Sequence, residues 1–149
     1  HRIPLEDIDP IETGITITRR FFPASSSTPA TTFNQGDLVR VEITINYSAL
    51  DIQGTYKITD FLPAGLAHVP NSQRFMETGR TSGWTWTAAE GQRVTFFDHN
   101  SRFNNNRTYR YYARVVSPGT FTAQGTIVQN LSVRDYLTIG EDAQITILP

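Results

Sequence analysis

Residues 38–47 read LVRVEITINY, and their alternation decides the fold. Val39, Val41, Ile43, Ile45 and Tyr47 share one parity, and Arg40, Glu42, Thr44 and Asn46 share the other. Successive side chains of a strand point to opposite faces, so this stretch is a strand with one buried and one wet face. The turn residues Asn34-Gln35-Gly36-Asp37 lead into it. A second stretch, 107–121, reads RTYRYYARVVSPGTF: it is dense in aromatic and β-branched residues and breaks at Ser117-Pro118-Gly119. Pro presets the turn backbone and Gly takes the φ > 0 position, which predicts a hairpin over 107–128.

The same style continues outward. Gly14 opens a first strand with Ile15 and Ile17 on one face and Thr16 and Thr18 on the other. Pro23 to Thr32 (PASSSTPATT) is a loop by composition. Gly54 to Leu62 is a strand closed by Pro63-Ala64-Gly65, and 67–83 is a long polar connection. Trp84 to Trp86 and Arg93 to Phe97 are short strands joined across Ala89-Glu90-Gly91-Gln92. Asp98 to Asn106 (DHNSRFNNN) and 129–142 read as loops, and Ala143 to Leu148 as the last strand. No window keeps a helical apolar period, so no long helix is expected.

Seven or eight strands with frequent turn signals predict an all-β chain, an antiparallel two-sheet sandwich of Ig-like size, with a β-barrel as the alternative. The expected core is Ile15, Ile17, Val39, Val41, Ile43, Ile45, Ile58, Leu62, Leu66, Val94, Phe96, Tyr111, Ala113, Val115, Phe121, Ile145 and Ile147. Residues 1–13 carry Pro4, Pro10 and four acidic side chains without periodicity, and read as an N-terminal arm or linker to a sandwich domain over 14–149. An opening on His1 and an end directly after a strand read as a segment of a longer protein.

Composition bounds the chemistry. A chain of 149 residues is long enough for one domain with a proper core. The net charge is −1 and the twelve Arg and one Lys are spread along the sequence, which argues against nucleic-acid binding through a basic patch. No apolar run suggests direct membrane insertion. Without Cys there is no disulfide, thiolate metal site or internal Cys-derived thioester within the chain.

A search for catalytic or metal-binding groups ends without a constellation, so no catalytic residue, cofactor or metal is assigned. Asp60, Asp98 and Asp135 are isolated carboxylates, and catalysis needs positioned partners. Asp60, near a strand end, is expected to accept turn amides. His99 in Asp98-His99-Asn100 has ligand types without ligand spacing and reads as a solvated loop histidine. There is no Gly-x-Ser-x-Gly elbow. Lys57, the single lysine, is weighed as the nucleophile of a Lys–Asn amide of the kind that locks some bacterial Ig-like domains, against a solvated outward position. Sequons stand at Asn46, Asn106 and Asn130. Trp84, Trp86 and Phe103 are the candidates for an exposed aromatic partner site, with core filling as the competing reading.

Five segments together resemble a known family: IETGITITRRFF (11–22), GDLVRVEITINY (36–47), ITDFLPAGLA (58–67), YRYYARVVSPGTF (109–121) and the closing AQITI. Their order and spacing resemble the C-terminal part of bacterial alpha-2-macroglobulin-like proteins. The resemblance implies a macroglobulin-type β-sandwich, the counterpart of the animal receptor-binding domain, in a large exported protease-trapping or surface protein. It implies a non-catalytic module at the cell surface, in the periplasm or outside the cell. Its partners would be other domains of the same chain, and another protein or a glycan. The family's Cys-Gly-Glu-Gln thioester motif is absent here, and one Lys with no expected helix gives no ground for carrying over the animal receptor site. The Leu-Pro-Ala-Gly-Leu turn also marks Ig-like stalk or adhesin repeats, which are the alternative. A sugar-binding module using Trp84 and Trp86 is a third reading.

Overall fold

The computed structural model describes residues 12–48, 50–76, 86–100 and 106–149. Among them are thirteen strands and no helix. In chain order these are β1 (Thr16–Pro23), β2 (Thr32–Asn34), β3 (Leu38–Asn46), β4 (Gly54–Phe61), β5 (Leu66–His68), β6 (Arg74–Phe75) and β7 (Trp86–Glu90). Then follow β8 (Arg93–Asn100), β9 (Asn106–Val115), β10 (Gly119–Ala123), β11 (Ile127–Asn130), β12 (Leu137–Ile139) and β13 (Ala143–Leu148).

The first sheet runs β1-β3-β9-β5, with β6 also on β9. The second runs β12-β11-β4-β8-β7, and the third β10-β13-β2. Pairing is antiparallel except for β13 on β2. The inward parity of β3, β4, β8 and β9 makes the first and second sheets face each other as a sandwich. Val39, Val41, Ile43, Ile45, Tyr56, Ile58, Val94, Phe96, Tyr109 and Tyr111 between them are fully buried.

The second and third sheets are two halves of one ladder. Gly119↔Ile147 and Ala123↔Ala143 in β10/β13 continue in the same register as Ile127↔Ile139 and Gln129↔Leu137 in β11/β12. This long hairpin opens only at 124–126 and 140–142. There the Gly140 N–H donates to the Thr126 carbonyl at 2.8 Å and the Gly125 N–H to the Asp142 Oδ1 at 2.8 Å. A Cβ on Gly125 would lie 2.0 Å from the Gly140 carbonyl oxygen, so the bend needs a residue without one. Bending one hairpin lets a single ladder cover two parts of the core.

The sandwich, the strand at 38–46 and the last strand match the sequence reading. β7 pairs with β8 as expected, although Ala89 and Glu90 belong to β7 rather than to the turn, and Trp84 and Thr85 lie outside the described residues. Fifteen of the seventeen expected core residues are buried; Ile17 and Phe121 are partly so, packed against the core. Leu66 folds back as expected and is 1% exposed, its turn fastened by the Gln92 amide donating to the Pro63 and Leu66 carbonyls at 2.9 Å.

Four expectations are corrected. The Ser117-Pro118-Gly119 turn does not close a hairpin: β9 pairs with β3, β5 and β6, whereas β10 pairs with β13. Gly119 does have φ +137°, but the turn carries the chain from one sheet to another. Residues 98–100 extend β8 rather than begin a loop. The loop expected over 129–142 contains the end of β11 and all of β12. The strand count exceeds seven or eight because several connections add two- and three-residue strands. Of the arm expected over 1–13, residues 1–11 lie outside the described residues.

Candidate interaction surface

Two carboxylates that read as isolated in the sequence are centres of buried polar clusters. Asp60, fully buried on the inward parity of β4, accepts from Arg19 Nη1 at 2.7 Å, Thr126 Oγ1 at 2.7 Å and the Tyr111 hydroxyl. Arg19 also donates to the Ala123 and Gln124 carbonyls, at 3.0 and 2.6 Å, which the ladder leaves unused at the bend. Asp60 thus takes no turn amide: side chains of the facing first sheet and of the bend saturate it. Asp98, 1% exposed, is held by Arg107 through Nε and Nη2, both at 2.7 Å, and by the Tyr109 hydroxyl at 2.9 Å. Asp51 accepts from the Tyr136 hydroxyl, from Gly14 N–H at 2.8 Å and from Ser48 N–H at 2.6 Å.

These clusters weld the layers together and leave none of the three buried carboxylates, Asp51, Asp60 and Asp98, open to a substrate. Burial, then the neighbouring carboxylate Asp60, pushes the Tyr111 hydroxyl well above its ordinary pKa of 10.0. Tyr109 and Tyr47 are raised in the same direction, first by burial and then by nearby ionisable groups that include Asp98. Burial lowers His68 from 6.5, against a hydrogen bond to Gln73 that raises it. Asp135 is exposed, on the β11–β12 connection. His99 lies in β8, half-buried, opposite Thr55, and is not in a loop. Among the described residues no group of three or more His, Cys, Asp or Glu could hold a metal ion.

Trp86 is 59% exposed on β7, and its ring leans on Phe97 with centroids 4.9 Å apart. The core-filling alternative therefore fails for Trp86; Trp84 and Phe103 lie outside the described residues. Lys57 stands opposite Phe97 and Gln129 on the outward face of the second sheet. It lines a shallow cleft of about 200 Å³ with Trp86, Glu90, Arg93, Thr95 and Phe97. The buried carboxylates Asp60 and Asp98 project to the opposite face, so the arrangement that would promote a Lys57 amide is not assembled around it. Of the sequons, Asn46 and Asn106 are exposed but Asn130 is 1% exposed and closed to modification.

The outward face of the first sheet overturns the expectation of scattered basic residues. Register places Arg20, Glu42, Arg110 and Arg74 in one row across β1, β3, β9 and β6. Phe22, Arg40 and Tyr112 form the next row, and Leu38, Arg114 and Ala67 the one after. The parity of β3 and β9 holds the signal, but only their pairing shows that the arginines converge.

Residues 14–132 match the family model described as the bacterial alpha-2-macroglobulin MG10 domain. The chain belongs to that family. The family's fold recurs in the crystal structure of native Escherichia coli alpha-2-macroglobulin from MG7 to the C-terminus. That match has 18% identity and a TM-score of 0.77 over 99% of this chain and 25% of that one. The cryo-EM structure of native Escherichia coli alpha-2-macroglobulin gives 19% identity and a TM-score of 0.75 over 99% and 10%. A Bacillus cereus pilin subunit, BcpA, shares the fold more loosely, at 14% identity and a TM-score of 0.61 over 91% and 40%. The MG10-family chain thus spans a quarter or less of the alpha-2-macroglobulins it resembles. No curated protein matches it by sequence.

Proposed function

We propose that this MG10-family domain is a non-catalytic structural and interaction module of an exported alpha-2-macroglobulin-like protease-trapping protein. Its work is to pack against other domains of its polypeptide and to respond with them when a protease cuts the chain. The observation that carries this reading is the family match over 14–132, joined to a structural match over 99% of the chain inside a far longer alpha-2-macroglobulin. The interior supports it: each buried aspartate is saturated by Arg, Tyr, Thr or backbone donors, as in a scaffold rather than a reaction centre.

The test is protease challenge of the full parent protein. The expected result is cleavage in one segment, a change of shape and retention of the protease on the cleaved product. A parent that is degraded without retaining protease would refute the trapping role. The pilin match keeps one alternative specific, a stalk or adhesin repeat, which predicts tandem copies of this domain in the parent.

A further inference from the structure

We infer that the outward face of the first sheet docks a carboxylate-rich surface of another domain of the same polypeptide. The inference rests on the reading of this chain as one domain of a multidomain protein, and it adds which face docks and what chemistry meets it. Among the described residues this face carries Arg20, Arg40, Arg74, Arg110 and Arg114 against Glu42 alone. Five positive charges and one negative leave +4 on a chain whose net charge is −1, so the remainder carries −5. Glu42 is already committed, its Oε2 accepting from Arg40 Nε at 2.7 Å. Asp37 at the rim accepts the Asn34 N–H at 2.9 Å.

Arg74 and Arg110 are direct cross-strand partners. Like charges so placed destabilise a ladder, and a face that needed only solubility would alternate signs. Opposing carboxylates would turn that repulsion into attraction. Side-chain type narrows the occupant further. A guanidinium presents a planar fork that fits a carboxylate with two parallel bonds, which an ammonium cannot do. Arg and aromatic residues are enriched in protein interfaces and Lys is depleted, as on this face.

The aromatics here are not platforms for bases or sugar rings. Phe22 is 6% exposed with the Arg40 guanidinium 4.4 Å from its ring centre, and Arg110 lies over Tyr112 at 5.5 Å. A stacking ligand would find those faces covered. The row from Arg20 to Arg74 crosses three strand spacings, about 14 Å, so it suits an extended surface more than a small anion. Arg20, Arg74 and Arg114 are exposed and can reach it. A partner in the same polypeptide acts at a high effective concentration, so even a modest interface would stay closed.

The experiment is zero-length carbodiimide coupling in the full parent polypeptide carrying Arg20→Lys and Arg74→Lys. Both positions are exposed, so the fold should hold, with melting within about 2 °C of the parent. Lys57 is the single native lysine of this domain, so amines introduced at 20 and 74 report with little local background. The expected products are amides joining these positions to Asp or Glu of another domain of the same molecule, unchanged on dilution. Adding Arg110→Glu and Arg114→Glu should cut their yield at least about tenfold, as should molar salt, which shortens the screening length to about 3 Å.

Coupling only to carboxylates of this domain would overturn the inference. So would coupling that scales with protein concentration, which would assign the face to a second copy. Introduced amines that couple nowhere and are shielded only by an added sulfated polysaccharide would give the face to a polyanion. A parent built of tandem copies would overturn the trapping role without touching this result, since crosslinks between neighbouring domains would still form.

Discussion

Replacing Asp60 by Asn keeps the shape of the side chain and removes its charge from a site with no solvent access. Arg19, whose side chain is 4% exposed, then stays buried without a counterion, left with neutral acceptors that include the Ala123 and Gln124 carbonyls. Breaking a buried pair by removing one partner costs about 3–5 kcal/mol. The amide can still accept from Arg19 and Thr126 through its oxygen, which places the cost nearer the lower end of that range. For a domain of this size each kcal/mol moves the melting temperature by about 2–4 °C, so the fall should be roughly 6–20 °C. Differential scanning calorimetry and urea unfolding would measure it, with Asp135→Asn as an exposed control expected within about 0.5 kcal/mol. If Asp60→Asn melts with the control, the cluster does not hold the two layers and the account of the interior is wrong.

Gly125→Ala should cost about 1–3 kcal/mol in urea unfolding, because its Cβ would meet the Gly140 carbonyl oxygen 2.0 Å away; an unchanged midpoint would deny the close approach at the bend. Tyr47, Tyr109 and Tyr111 ionise less readily folded than unfolded, so their contribution to stability is complete below pH 10.0 and is lost as pH rises above it. Three such groups give a slope of about 4 kcal/mol per pH unit. Tyrosinate absorbance from them should therefore appear only as the fold is lost, and ionisation in the intact fold would contradict their burial. Trp86→Ala should cost less than about 1.5 kcal/mol, the worth of its contact with Phe97, rather than the 3–5 kcal/mol of a core aromatic; a core-sized loss in thermal unfolding would place the indole inside.

The fold was legible where the information was local. A period of two along 38–47 places five apolar side chains inward, whichever strands lie beside them, and all five are buried. The Ser117-Pro118-Gly119 turn was legible as a turn but not as a crossing, because the same backbone chemistry serves a chain that returns and one that changes sheets. What separates the two is the partner of β10, which lies on β13 some twenty residues downstream. The buried ion pairs left a trace: Arg107 shares its parity with Tyr109, Tyr111 and Ala113, and Asp60 with Tyr56 and Ile58. A charge on an inward parity announces a buried partner without naming it. Arg19 and Asp60 are 41 residues apart, and only the assembled sandwich brings them together. The basic face was illegible for the same reason, since its five arginines come from β1, β3, β6 and β9.

The most direct test of the central claim is to read the parent polypeptide upstream of residue 1. A protease-trapping parent should hold one copy of this domain behind a long multidomain chain that carries a Cys-Gly-Glu-Gln segment. Tandem copies of the present pattern with no such segment would contradict it and leave a surface stalk.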